Sequence, residues 1–168
     1  MKNKRNLILS NEQVKQKIRR IAYQILENNY DEEEVFLAGI WEHGYRVAKL
    51  LKEELDSIAN FSVQLIKIEL DKALPTQSDI TLDKDISLVN EKVIILIDDV
   101  LNTGRTLVYS LKPFLNVRVK KIEIASLVNR SHTSFPVSCT YTGFELSTTI
   151  NDHVEVIIEN NEVNVYLV

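Results

Sequence analysis

Three short apolar runs, VFLAGI (Val35 to Ile40), VIILI (Val93 to Ile97) and KIEIASLV (Lys121 to Val128), are separated by segments whose apolar residues recur at helical spacing. A strand that is apolar at successive positions leaves neither face for water and has to be covered on both sides. Strands of that kind alternating with helices imply an α/β architecture, a mostly parallel central sheet flanked by helices.

The helical signals are specific. Ser10 and Gln13 have the spacing of a capping box, and Val14, Ile18, Ile21, Ile25 and Leu26 follow on one face, which predicts a helix from about Asn11 to Asn28. Val47, Ala48, Leu50, Leu51 and Leu55 predict a second from Tyr45 to Leu55. A third is expected from Arg105 to Leu115, with Pro113 distorting its end. FSVQLIKIEL, Phe61 to Leu70, is rich in branched residues and is expected to be a strand. Asp71 to Asn90 is long for a connection inside a compact domain, which suggests a mobile lid or short hairpins. Beyond Val128 come short strands at Cys139 to Phe144, Val154 to Ile158 and Val163 to Val168, the last two joined by ENN as a terminal hairpin.

At 168 residues, 45% hydrophobic and 26% charged, the chain fits one domain with a packed core. A net charge of −4 argues against a surface dominated by phosphate neutralisation. Behind MKNKR the run LIL is too short for a signal-peptide core, and no segment is expected to span a bilayer, so a cytoplasmic location is expected. The single cysteine, Cys139, allows no intramolecular disulfide and is expected to be buried as a small apolar residue. His43, His132 and His153 are far apart without an HExxH pattern, so no protein-ligated zinc site is expected.

The stretch IILIDDVLNTGRT, Ile94 to Thr106, carries the chemistry. Ligands of open α/β sheets sit beyond the carboxyl ends of the strands, where Asp98 and Asp99 are expected. Two carboxylates beside an apolar layer raise each other's pKa unless cations or donors face them. Asn102, Thr103, Gly104, Arg105 and Thr106 then form the turn into a helix, where free N–H groups and hydroxyls favour an anion. One ligand with both hydroxyls and a phosphate, such as a ribose 5-phosphate, suits the pair and the turn together. The plainer alternative is a solvated acidic rim followed by ordinary turn formers. An acidic pocket of the response-regulator kind would place its acids on an early strand. GIWEHG is not a nucleotide P-loop, because Tyr45 and Arg46 follow Gly44 where Lys and Ser or Thr belong.

Taken whole, Ile94 to Thr106 resembles the diphosphoribosyl-binding signature of type I phosphoribosyltransferases. SNEQVKQKIRRIAYQILENN, AGI, DDVLNTGRT, SLVNRSH and YTGFELSTT extend the likeness to the PyrR-type uracil phosphoribosyltransferases and pyrimidine operon regulators. The resemblance implies a core over about 11–128, a small hood over about 129–153 plus the N-terminal segment, and a terminal hairpin over about 154–168. It implies transfer of a phosphoribosyl group from phosphoribosyl diphosphate to uracil or a related nucleobase, with Mg2+, release of pyrophosphate, and a homodimer or higher oligomer. Asp98 and Asp99 would hold the ribose hydroxyls and place the ion directly or through water, and Asn102 to Thr106 the 5-phosphate. Trp41, Glu42, His43 and Gly44 would form the pyrophosphate loop, and Val128, Asn129 and Arg130 the base side.

Three places depart from the pattern. PyrR-type loops have Thr-Arg-Gly where this chain has WEHG, so His43 replaces an arginine and Glu42 adds a negative charge; an ordinary surface role for His43 is the alternative. Family lids read like LDITLYRDD, whereas here KALPTQSDITLDKD follows Leu70 and Asp71, and its basic residues Lys72 and Lys84 are expected to be solvated. Asn129 replaces the acid of Val-Asp-Arg, which changes the base edge it could pair with; Arg130 could stack, bind phosphate or form a strand-end salt bridge. A regulator on the same fold, binding RNA with turnover weak or lost, is the second functional expectation.

Overall fold

The computed structural model describes residues 5–74, 76, 79–149 and 151–168. Strand β1 (Asn6–Leu9) leads into α1 (Asn11–Asn29), whose cap is the box expected: the Gln13 N–H donates to Ser10 Oγ, and the Ser10 N–H to Gln13 Oε1. Strand β2 (Glu34–Ile40), α2 (His43–Ile58) and β3 (Ser62–Glu69) follow. A short β4 (Thr81–Leu82) turns back along β3, so the long connection holds a small antiparallel return; its residues 75, 77 and 78 lie outside the described residues. Then come β5 (Val93–Leu101), α3 (Arg105–Ser110), β6 (Lys121–Asn129), β7 (Tyr141–Glu145), β8 (Val154–Glu159) and β9 (Glu162–Leu167).

Among the described residues the strands form two sheets. The larger runs β4-β3-β2-β5-β6-β7, parallel except for β4. Alternation along its central strands explains the double coverage. Val35, Leu37, Ile95 and Ile97 pack with Ile18, Val47 and Leu51 of α1 and α2. Phe36, Ala38, Ile94 and Leu96 pack with Leu107 and Phe114 on the other side. The smaller sheet runs β1-β9-β8, so the terminal hairpin is completed by NLIL from the other end of the sequence. Its turn places Asn160 and Asn161 at φ 50° and 64°, the paired left-handed geometry that twisted hairpins favour.

Several expectations are corrected. Strand β5 does not end at Ile97: Asp98 pairs with Ser126 and Leu101 with Asn129, because a ladder is made by backbone groups and tolerates charged side chains that find partners. Helix α2 begins at His43 rather than Tyr45, since a first turn needs no apolar residue, and it runs on to Ile58. The segment Arg105 to Leu115 breaks after Ser110 into a tighter 3-10 turn, Lys112–Asn116, that carries Pro113 near its start. Strand β7 starts at Tyr141, two residues later than expected, and Cys139 is only half-buried. Within KIEIASLV, Glu123 is buried but compensated, accepting from Tyr141 Oη at 2.6 Å and lying 2.8 Å from Lys121 Nζ. No helix among the described residues is long and apolar enough to cross a membrane.

Candidate functional site

Asp98 and Asp99 sit in β5 near the carboxyl end of the parallel sheet, Asp98 only 4% exposed. Asp99 continues the row of Ile95 and Ile97 that packs on α2, which brings it under the first turn of that helix. There His43 Nδ1 lies 3.2 Å from Asp99 Oδ2. Lys72, just beyond β3, places Nζ 2.9 Å from Asp98 Oδ1 and 3.9 Å from Asp99 Oδ1. The expectation of a solvated Lys72 is therefore corrected: the ends of β3 and β5 flank β2, and the four-carbon stem of a lysine spans the gap to a buried charge. Lys72 is the site residue that pattern reading missed, and its only signal was its place immediately after a parallel strand.

The acids differ in their environments. Burial, then the charge of Asp99, pushes Asp98 up to about 7 despite the opposing ammonium of Lys72. Burial also works against ionised Asp99, but the hydrogen bond from His43, the bond with Asp98 and the charge of Lys72 outweigh it and hold Asp99 below its ordinary value. Mutual raising of both acids is thus replaced by a split pair. His43 is raised, chiefly by its bond to Asp99. Burial lowers Lys72, but the fields of Asp98 and Asp99 raise it overall.

Next to the acids, residues 102–106 line a cavity of about 190 Å³ together with Lys72, Asp98, Asp99 and Val154 of the small sheet. Gly104 is left-handed at φ 84°, which allows β5 to turn abruptly into α3. The turn is fixed from outside, because the N–H groups of Ser134 and Phe135 both donate to the Thr103 carbonyl, at 2.8 and 3.1 Å. Inside it the Arg105 N–H donates to Thr103 Oγ1.

In the loop after β2, the Trp41–Glu42 peptide is cis. Gly44 packs so closely on β5 that an added Cβ would stand 2.6 Å from the Ile97 carbonyl oxygen and 3.2 Å from Asp98 Oδ1. Of this loop the structure brings His43 and Gly44 to the acids. Glu42 turns away to pair with Arg46 at 2.7 Å, and Trp41 lies outside under Lys67, 5.1 Å from the ring centroid.

The three residues expected on the base side separate. Val128 is fully buried in the core. Asn129 spends both ends of its amide locally, donating to Glu145 Oε1 and accepting from the Ser131 N–H. Arg130 is 7% exposed and donates to Thr148 Oγ1 from Nε and Nη2, to Asn102 Oδ1 from Nη1, and to the carbonyls of Thr149 and Asp152 from Nη2. No carboxylate stands within ion-pair distance of it among the described residues, so a strand-end salt bridge is not what holds it. It fastens the Asn102 side chain to Thr148, Thr149 and Asp152.

Both the sequence and the fold of this chain have known counterparts. The phosphoribosyl transferase domain family matches residues 5–159. The chain belongs to that family and has the type I phosphoribosyltransferase fold; by class it is a pentosyl-transferring enzyme. It is 32% identical over 161 residues to the bifunctional protein PyrR of Haemophilus ducreyi, covering 92% of this chain and 90% of that one. With the bifunctional protein PyrR of Streptococcus pneumoniae strain CGSP14 it shares 33% over 156 residues, covering 90% and 87%. Among solved structures, the hypoxanthine phosphoribosyltransferase of Trypanosoma cruzi superposes with a TM-score of 0.78 at 15% identity, covering 95% of each chain.

Proposed function

We propose that the chain transfers the 5-phosphoribosyl group of phosphoribosyl diphosphate to a nucleobase, uracil or a related ring, with release of pyrophosphate. The observation that carries this reading is the shared cavity in which the acid pair and residues 102–106 lie side by side. Asp98 and Asp99 would accept from the ribose hydroxyls, and Asn102, Thr103, Gly104, Arg105 and Thr106 would hold the 5-phosphate. The base nitrogen bonds to C1 as pyrophosphate leaves with the bonding pair, and the N–H proton of the base passes to the departing diphosphate or to water. Positioning and charge stabilisation suffice for this chemistry, without a covalent nucleophile. His43 and Gly44, beside the acids, belong on the diphosphate side, while Arg130 supports the loop from behind.

The site's donors fit Mg2+ carried by the substrate. Two adjacent carboxylates are oxygen ligands of the right kind, and among the described residues no group of three or more His, Cys, Asp or Glu forms a complete protein cage. Such an ion, when bound, would neutralise the departing diphosphate.

The test is a screen of purified protein with phosphoribosyl diphosphate and Mg2+ against uracil, purines and orotate, reading pyrophosphate. Release with one base supports the reading; no binding of phosphoribosyl diphosphate by calorimetry overturns it. A second reading, a regulator on the same fold with slow turnover and RNA as partner, is favoured by His43, which is tied to Asp99 and lacks an arginine's fork. A gel shift with pyrimidine-operon leader RNA that falls steeply with salt would support it.

A further inference from the structure

Two carboxylates in a protein interior need cations, and here the nearest one is built into the chain. The Asp98 and Asp99 side chains are 6% and 14% exposed, and Lys72 Nζ faces both. Asp98 Oδ1 already accepts from Lys72 Nζ at 2.9 Å and from the Asp99 N–H at 3.0 Å, which leaves little room for a third partner on that oxygen. His43 occupies Asp99 Oδ2 in the same way. Any ribose diol or divalent ion arriving at the pair therefore meets one oxygen of each acid already in use. Lys72 is able to yield. Its side chain is 42% exposed, its stem is flexible, and it lies between β3 and β4, outside the ladders of both.

We propose that Lys72 is the tethered cation of this site, competing with a divalent ion and the ribose hydroxyls for Asp98 and Asp99, and so setting how much divalent ion ligand binding requires. This rests on the phosphoribosyl reading, which names the competitors. On binding, the ammonium leaves Asp98 for the nearest anionic oxygens, those of the ligand's own phosphates, and no covalent bond changes. A chain with a neutral residue at this position would hold an ion at the acids before any substrate arrived. With Lys72 present, the ion and the ligand displace the ammonium together.

The experiment uses the full chain and the variants Lys72→Met and Lys72→Arg. Mn2+ is titrated into each without ligand, and free Mn2+ is read by electron paramagnetic resonance. Removing the ammonium is expected to tighten Mn2+ binding about tenfold, while Lys72→Arg keeps the wild-type affinity. In calorimetry with phosphoribosyl diphosphate, the Mg2+ concentration giving half-maximal binding is expected to fall about as far in Lys72→Met. Adding Asp98→Asn should erase the difference between Lys72→Met and wild type. Equal Mn2+ affinity in wild type and Lys72→Met, or a higher Mg2+ requirement in the variant, overturns the proposal. Lys72→Gln repeats the charge removal if Lys72→Met does not fold. Absence of phosphoribosyl diphosphate binding by wild type would overturn the functional reading alone, because the Mn2+ titration decides the role of Lys72 without it.

Discussion

His43 Nδ1 lies 3.2 Å from Asp99 Oδ2, so the first turn of α2 is hydrogen-bonded directly to the acid pair of β5. A histidine there supplies one bond, where an arginine would offer a planar fork to both Asp99 and a diphosphate. His43→Arg is expected to raise kcat/KM for phosphoribosyl diphosphate by about tenfold, roughly the worth of one charge-assisted bond. Steady-state kinetics that leave kcat/KM unchanged would refute this role for the turn.

The unliganded chain should be more stable at pH 6 than at pH 7.5. Burial and the charge of Asp99 push Asp98 up from an ordinary 3.8 to about 7, so between those values the native state holds a proton that the unfolded state has lost. A raised group contributes stability that is complete below its unfolded value and disappears as pH rises through the folded one. His43, raised from 6.5, acts in the same direction. Asp99, which is lowered, contributes only above 3.8 and stays constant through this window. Loss of the Asp98 proton is expected to lower the stability steadily as pH rises from 6 to 7.5. Calorimetric melting is expected to show the slope in wild type and a flatter one in Asp98→Asn; a wild type that gains stability toward pH 7.5 would contradict it.

Gly104→Ala should cost about 1–3 kcal/mol and weaken phosphate binding. Two effects add: the residue is at φ 84°, and its new Cβ would run into Val137 Cγ2. Val137→Ala in the same chain should recover the steric part and leave the torsional part. Full recovery in urea denaturation would show that the left-handed turn itself carries no cost.

Arg130→Met is expected to destabilise the fold by about 1–3 kcal/mol, because it removes the donor shared by Asn102, Thr148 and two carbonyls. Arg130→Lys should restore little, since an ammonium cannot reach acceptors on both sides of a planar fork. A loss under about 1 kcal/mol in chemical denaturation would mean that water replaces the guanidinium at no cost.

Much of this was legible in the order of residues. VFLAGI, VIILI and KIEIASLV announce themselves as covered strands because burial on both faces leaves an unbroken apolar run. Ser10 and Gln13 mark a helix start because both halves of the box lie within four residues. What stayed hidden depends on partners far along the chain. Asp98 and Asp99 look like the end of a strand until Ser126 and Asn129 are seen to carry the ladder past them. Lys72 is an ordinary loop lysine until the sheet order sets the end of β3 near the end of β5. Arg130 resembles a substrate contact until Thr148 and Asn102 are found to take its donors. The polar first turn of α2 gave no apolar signal, although Gly44 marks the close approach to β5 that fixes it.

The pairing of β1 with β9 sets Asn6 against Leu167, so the small sheet joins the earliest described strand to the last one. A ribosome delivers residues in order, and the acids and the Gly104 turn are made well before β9. The half that holds the acid pair and the Gly104 turn therefore exists while β1 has no strand to lie against and Val154 has no complete sheet to hold it over the cavity. The side of the cavity that Val154 lines therefore depends on a strand that arrives later than every other part of the site.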